Sequence, residues 1–139
     1  MGGSQTYEIP DDCMYTKDHE WIREANAGTF VIGITDYASK MLNDVVYVTL
    51  PKEGTSLKQK DVFGQVESVK TVSDMFMPVS GKISKINSKL TKAPELISQS
   101  PYSEGWMMEI HSEEYSSESK ELLDAEAYRK YVLSLDEMD

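Results

Sequence analysis

The sequence predicts a mostly β domain, a sandwich or barrel of short strands joined to a C-terminal helix. Three observations carry this expectation. Runs of β-branched and aromatic residues recur at intervals of about ten residues, separated by Gly, Pro and Asn turn signals. Tyr128, Tyr131, Val132 and Leu135 fall at i, i+3, i+4 and i+7, the spacing of one helix face. The length, 139 residues with 40% hydrophobic content, supplies one core and leaves little for a second domain.

Taken in order, Trp21 to Arg23 and Thr29 to Ile34 read as strands, and Asn26-Ala27-Gly28 between them supplies hairpin chemistry. Thr35-Asp36 offers a helix start, with Tyr37, Ala38, Met41 and Leu42 at helical spacing. Val45 to Leu50 returns to strand composition, and Pro51-Lys52-Glu53-Gly54 turns the chain. Val62 to Val72 reads as a strand, Pro78-Val79-Ser80-Gly81 as a turn, and Lys82 to Asn87 as the next strand. The polar stretch Leu90 to Ser103, with Pro94 and Pro101, is expected to be an ordered surface loop. A last strand follows at Gly105 to Ile110, and Asp124 caps a helix whose apolar stripe packs on the sheet. The expected division is a flexible N-terminal segment at 1–13, with a Gly-Gly-Ser start typical of expression tags. A single domain follows at 14–135 with its helix at 124–135, and an acidic tail at 136–139.

The formal net charge of -10 argues against nucleic acid, because phosphate binding needs a basic face and no Lys/Arg cluster forms one. Basic protein partners suit such a charge. The lone Cys13 has no partner for an internal disulfide, and its acidic surroundings favour the thiol over the reactive thiolate. No apolar run approaches the roughly 20 residues of a membrane span, and neither a secretory nor an organelle-targeting pattern opens the chain. A cytoplasmic location is expected, or the mitochondrial matrix for a processed eukaryotic protein.

One stretch stands apart: GQVESVKTVSDMFMPVSG, residues 64 to 81. Val66, Val69 and Val72, interrupted by Glu67, Ser68, Thr71 and Ser73, present no clean apolar face, so strand ends should meet there at an exposed bend with Lys70 projecting. On its own this describes a solvated lysine, since lysines are mostly exposed. An exposed tip cannot desolvate a Schiff-base lysine, but it does give access to a modifying enzyme.

Glu67-Ser68-Val69-Lys70, followed by Ser73-Asp74 and Pro78-Val79-Ser80-Gly81, closely resembles the lipoyl-attachment segment of the H proteins of the glycine cleavage system. His19-Glu20-Trp21, Gly33-Ile34-Thr35-Asp36, Asp44 to Val48 and Leu50-Pro51 with Gly54 are similar to further blocks of that family. So are Pro94 to Ile97 and Pro101-Tyr102 with Gly105-Trp106, all in the family's order, from about residue 14 to residue 133. Biotin carriers typically set the lysine between methionines, and 2-oxo acid dehydrogenase lipoyl domains usually place Asp before it. Here the neighbours are Val69 and Thr71.

The resemblance implies a lipoyl/biotinyl-type barrel-sandwich hybrid of two antiparallel sheets with short helices and a C-terminal helix. It implies lipoic acid joined as an amide to Lys70, put there by a lipoate ligase or a lipoyl/octanoyl transferase that reads Glu67. The carrier would take an aminomethyl group from glycine decarboxylase to the tetrahydrofolate-dependent aminomethyltransferase, then electrons to dihydrolipoamide dehydrogenase, as a monomer without catalysis of its own. Glu20, Asp74 and Asp18 match positions of the cleft that shelters the loaded arm. His19, Trp21 and Trp106 read as structural. Asp18 stands where many members have Ser, Tyr37 where many have His, and Asn43 where the block usually has Gly. The rival readings are an H-like protein serving lipoate relay or another lipoyl-dependent pathway, and an unmodified interaction domain.

Overall fold

A computed structural model describes residues 6–137, and the statements below concern these residues. Two antiparallel sheets face one another. The larger contains β1 (Met14–Tyr15), β2 (Glu20–Asn26), β3 (Thr29–Ile34), β9 (Met108–His111), β8 (Gly81–Ile86) and β5 (Ser56–Leu57), in that spatial order. The smaller contains β4 (Val45–Thr49), β6 (Val62–Ser68) and β7 (Val72–Phe76), with β6 in the centre. The two sheets and their helices form the barrel-sandwich hybrid expected from the sequence.

Period-two alternation builds the core between the sheets. Phe30, Ile32 and Ile34 face inward from β3, and Phe63, Val66, Val48 and Met75 meet them from the smaller sheet. A second, aromatic cluster lies on the far side of β1 and β2. It holds Tyr15, Trp21, Tyr37, Tyr102 and Tyr128, with the Tyr15 and Tyr128 rings stacked at 4.5 Å. Trp21 pairs with Gly33 across β2 and β3, where an added Cβ would stand 2.8 Å from the indole. The absent side chain leaves the ring room to lie flat on the sheet.

The local signals operate as read. Gly28 takes φ 77° in the β2–β3 turn. Thr35 caps α1 (Asp36–Leu42), its Oγ1 accepting the Ala38 N–H at 3.2 Å. Asp124 caps α5 (Ala125–Glu137), accepting the Ala127 N–H at 2.8 Å, so the helix starts one residue later and runs two residues further than expected.

Four readings need correction. The run Val62 to Val72 is two strands, broken after Ser68. Leu90 to Ser103 is not a surface loop: α2 (Lys89–Lys92) and α3 (Leu96–Gln99) flank Pro94 and plant Leu90 and Ile97 fully in the core. The last strand begins at Met108 instead of Gly105, and a further short helix, α4 (Tyr115–Glu118), stacks Tyr115 on Phe30 at 4.3 Å. Residues 6–13 are no free tail. Cys13 is buried, Tyr7 and Ile9 pack on the aromatic cluster, and the Glu8 N–H donates to Asp36 at 2.9 Å. Arg129 donates to the Ile9 carbonyl at 2.9 Å and to Asp11 at 2.7 Å. Residues 1–5 of the expected N-terminal segment and 138–139 of the expected acidic tail lie outside the described residues.

Asn43 ends α1 at φ 67° and ψ -118°, a conformation that L side chains rarely adopt. Asn43→Gly should therefore raise the melting midpoint. The relief of about 1–3 kcal/mol of strain exceeds the ~0.4–1 kcal/mol that added chain freedom costs. Calorimetry of the pair checks this, and a lower midpoint would refute it.

Candidate functional site

Lys70 sits at the tip of the β6–β7 hairpin, in the three-residue connection 69–71. Buried Ser68 fixes that tip. Its backbone N–H donates to the Thr71 carbonyl at 2.8 Å, and its hydroxyl lies 3.3 Å from the Lys70 N–H and 3.2 Å from the Thr71 N–H as acceptor. The Val69 N–H donates to the Asp44 carbonyl at 3.2 Å, anchoring the tip to the start of β4. The backbone beneath Lys70 is thus held, while its side chain is exposed and makes no ion pair among the described residues. Ser68 was not singled out from sequence; a Ser opening a turn was the available signal.

Beside the hairpin runs a groove of about 580 Å³ between α1 and β7. Tyr37, Ala38, Met41 and Leu42 form one wall, Met75 and Phe76 the other, and Asp18 and Asp74 add carboxylates. Tyr37 stacks obliquely on His19 at 4.6 Å and meets the Tyr7 ring edge-on at 5.0 Å. His19 itself takes φ 72° and shares a 2.8 Å hydrogen bond through Nδ1 with the Tyr128 hydroxyl. Burial lowers its pKa to about 4, so the ring is neutral at ordinary pH. The structural role expected of His19 follows: it joins the groove's loop to α5. Trp21 is likewise structural, donating from Nε1 to the Pro101 carbonyl at 3.0 Å, and Trp106 packs half-buried at the aromatic cluster.

Glu20, Asp74 and Asp18 do not share one groove. Glu20 lines a neighbouring one of about 480 Å³, and the two grooves have Lys17, Asp18 and Phe76 in common. Glu20 is fully buried. Its Oε1 accepts from the Thr16 hydroxyl at 2.5 Å and its Oε2 from the Phe76 N–H at 3.1 Å. Burial drives its pKa up to about 7, against the lowering effect of those two hydrogen bonds. Asp74 is exposed at the groove's edge, where Gln65 donates to it at 2.9 Å. Glu67 is exposed too, paired in register with Val72 on one side and Tyr47 on the other. Cys13 is buried, and burial with Asp12 beside it pushes its thiol up to about 11, which leaves it inert. Among the described residues no group of three His, Cys, Asp or Glu side chains could hold a metal ion, and no helix is long and apolar enough to cross a membrane.

The site so built is an exposed lysine on a pinned hairpin of a barrel-sandwich hybrid, beside a partly apolar groove. Residues 13–134 match the family model of the glycine cleavage H-protein. The glycine cleavage system H protein of Salinibacter ruber is 50% identical over 121 residues, 87% of this chain and 96% of that relative. A probable H protein of Thermococcus gammatolerans is 45% identical over 93% of this chain and 96% of its own length. The crystal structure of an H protein from Mycobacterium marinum superposes with a TM-score of 0.75 at 36% identity, covering 88% of this chain and 97% of that one. The chain belongs to the glycine cleavage H-protein family.

The Glu20 geometry predicts a pH effect with a definite sign. Its folded pKa, about 7, lies above the ordinary 4.5, so the folded state holds the proton more tightly and loses stability as pH rises from about 4.5 through 7. Gln at position 20 cannot ionise and escapes that loss. The stability of Glu20→Gln relative to the native chain should improve by up to about 3 kcal/mol between pH 4.5 and 8. Urea melts at both pH values measure it, and a constant difference would contradict the assignment.

Proposed function

We propose that this chain is the lipoyl-carrying shuttle of the glycine cleavage system, with lipoic acid held as an amide on Lys70. In that role it conveys the aminomethyl group from glycine decarboxylase to the tetrahydrofolate-dependent aminomethyltransferase and then electrons to dihydrolipoamide dehydrogenase. The supporting observation is the exposed Lys70 on a hydrogen-bonded tip, in a chain of the H-protein family. Bound lipoate supplies a strained cyclic disulfide, chemistry that no amino-acid side chain offers.

The protein's own contribution is presentation and shelter. The Ser68 turn fixes the backbone from which the Lys70 side chain projects, so partners meet it in one place. The walls of the groove, Met75 and Phe76 against Ala38 and Leu42, limit water. Asp18 and Asp74 set negative charge where a cationic group on the arm would rest. Glu20 acts from the neighbouring groove, holding the Phe76 backbone and hence one wall. Glu67, three residues before the lysine, is exposed on the hairpin, which supports its being read by a lipoate ligase or a lipoyl/octanoyl transferase. The chain is a carrier and substrate in these steps, and its partners do the catalysis.

Protein from a lipoylation-competent native host should carry one lipoyl group, and peptide mass mapping should locate it on Lys70. Lys70→Arg should remove glycine cleavage in a reconstituted mixture while leaving the thermal melt unchanged; activity retained by that variant would dismiss the assignment. Asp18→Asn with Asp74→Asn should shorten the lifetime of the loaded carrier in buffer by roughly three- to tenfold, the effect expected of exposed charge contacts. Decay at the native rate would remove both from the site.

A further inference from the structure

Seven large apolar side chains are exposed among the described residues, and four of them surround the Lys70 hairpin: Val69 at 74%, Tyr47 at 55%, Val72 at 53% and Val46 at 49%. The register explains the grouping. Tyr47 of β4 pairs with Glu67 of β6, and Glu67 pairs with Val72 of β7, so the three form one row across the outer face of the smaller sheet, neighbours about 5 Å apart. Val46 is the extra residue of the irregularity between Val45 and Tyr47, which turns it outward as well, and Val69 is joined to the start of β4 through its hydrogen bond to Asp44. Single exposed apolar residues are ordinary, but a cluster around an acid and beside an exposed lysine is the pattern of an interaction site.

We propose that this face, Tyr47, Val72, Val46 and Val69 around Glu67, is the docking surface for the enzyme that acylates Lys70; the proposal rests on the reading of Lys70 as an acylated residue. Two features select that occupant. A second copy of the chain would set Glu67, Asp44 and Asp74 against their own kind in a molecule of formal charge -10, so the fitting partner is a different protein with an apolar centre and a cationic rim. The acylating enzyme must also bring its donor within bonding distance of Nζ while the amine is borne only by a lysine stem. It therefore touches the residues flanking the hairpin tip, whereas an enzyme acting on the far end of a long arm need not. Lys60, Lys82, Lys85 and Lys89 are exposed too, and none lies on this row, so the face also supplies the selectivity for Lys70. In the step itself, the Lys70 nitrogen bonds to the carbonyl carbon of an activated acyl donor, an acyl adenylate or thioester. The carbonyl's bond to phosphate or sulfur breaks with its electron pair leaving on that group, and the ammonium gives up two protons.

The test is acylation of the full chain by a purified lipoate ligase with lipoate and ATP. Tyr47→Ser and Val72→Thr should each raise KM by about tenfold or more, the loss expected for removing a well-buried contact, with kcat within about twofold. Tyr47→Phe should keep the native KM. Lys70 labelling by acetic anhydride, read by peptide mass, should be unchanged in all three, which shows the hairpin intact. Native KM values in the Ser and Thr variants would overturn the docking face while leaving Lys70 as the acylated residue. Failure of the unaltered chain to be acylated by the ligase, or in its native host, would remove the reading of Lys70 and this proposal together. A dimer in sedimentation that Tyr47→Ser dissolves would overturn it in favour of a second copy.

Discussion

The buried carboxylate of Glu20 joins the two sheets where the carrier hairpin begins. Glu20 opens β2 in the larger sheet, and its Oε2 accepts the Phe76 N–H at the end of β7 in the smaller one. A carboxyl group this deep is costly unless its oxygens are satisfied. The Thr16 hydroxyl and the Phe76 amide do that, and in return the end of β7 is tied to β2. Phe76 forms part of both grooves, so this one link fixes the partition between them. The far boundary is fixed differently: His19, in its left-handed conformation, is held by the Tyr128 hydroxyl, and Tyr128 also bonds Thr35, the cap of α1. Helix α5 therefore supports the loop and the helix that line the groove from behind.

The sequence announced those parts of the fold that depend on local chemistry. Gly28 in a turn, Thr35 and Asp124 as caps, and the α5 stripe each act within a few residues, so composition and spacing reveal them. What escaped depends on tertiary closure. Helices α2 and α3 have four residues each, too few to display a repeating helical period, and Leu90 and the Leu96-Ile97 pair stand among mostly polar residues until the core receives them. Residues 6–13 looked like a tail because their hold comes from Asp36, Tyr102 and Arg129, all distant in sequence.

The site divides along the same line. The bend at Lys70 was legible, and the ordered blocks around it gave that bend a meaning that local composition lacked. The burial of Glu20 was not legible, since an acid between His19 and Trp21 carries no sign of which face it takes. Nor was its separation from Asp74 into another groove, which depends on where Phe76 falls between the sheets. Asn43 is a different case: its departure from the family's usual Gly was visible in sequence, and the structure gives the reason for Gly there, a positive φ at the end of α1.

In the proposed role, a lysine that is modified once and then used repeatedly would face two demands that conflict on a single surface. Recognition of the bare amine favours exposed apolar contacts close to the backbone; protection of a loaded arm favours a recess lined by apolar walls and charge. Strand β7 can serve both because it is an edge strand of the smaller sheet. Val72 points outward to the row with Glu67 and Tyr47, whereas the edge from Ser73 to Phe76 lines the recess. A shift of one residue in the β6–β7 register would turn β7 over, exposing Met75 and burying Val72 and Asp74. The Ser68 turn sets that register from the tip and the Glu20 contact to Phe76 from the other end. Thus the buried acid and the turn serine together hold the hairpin in the register that turns Val72 outward and Met75 inward.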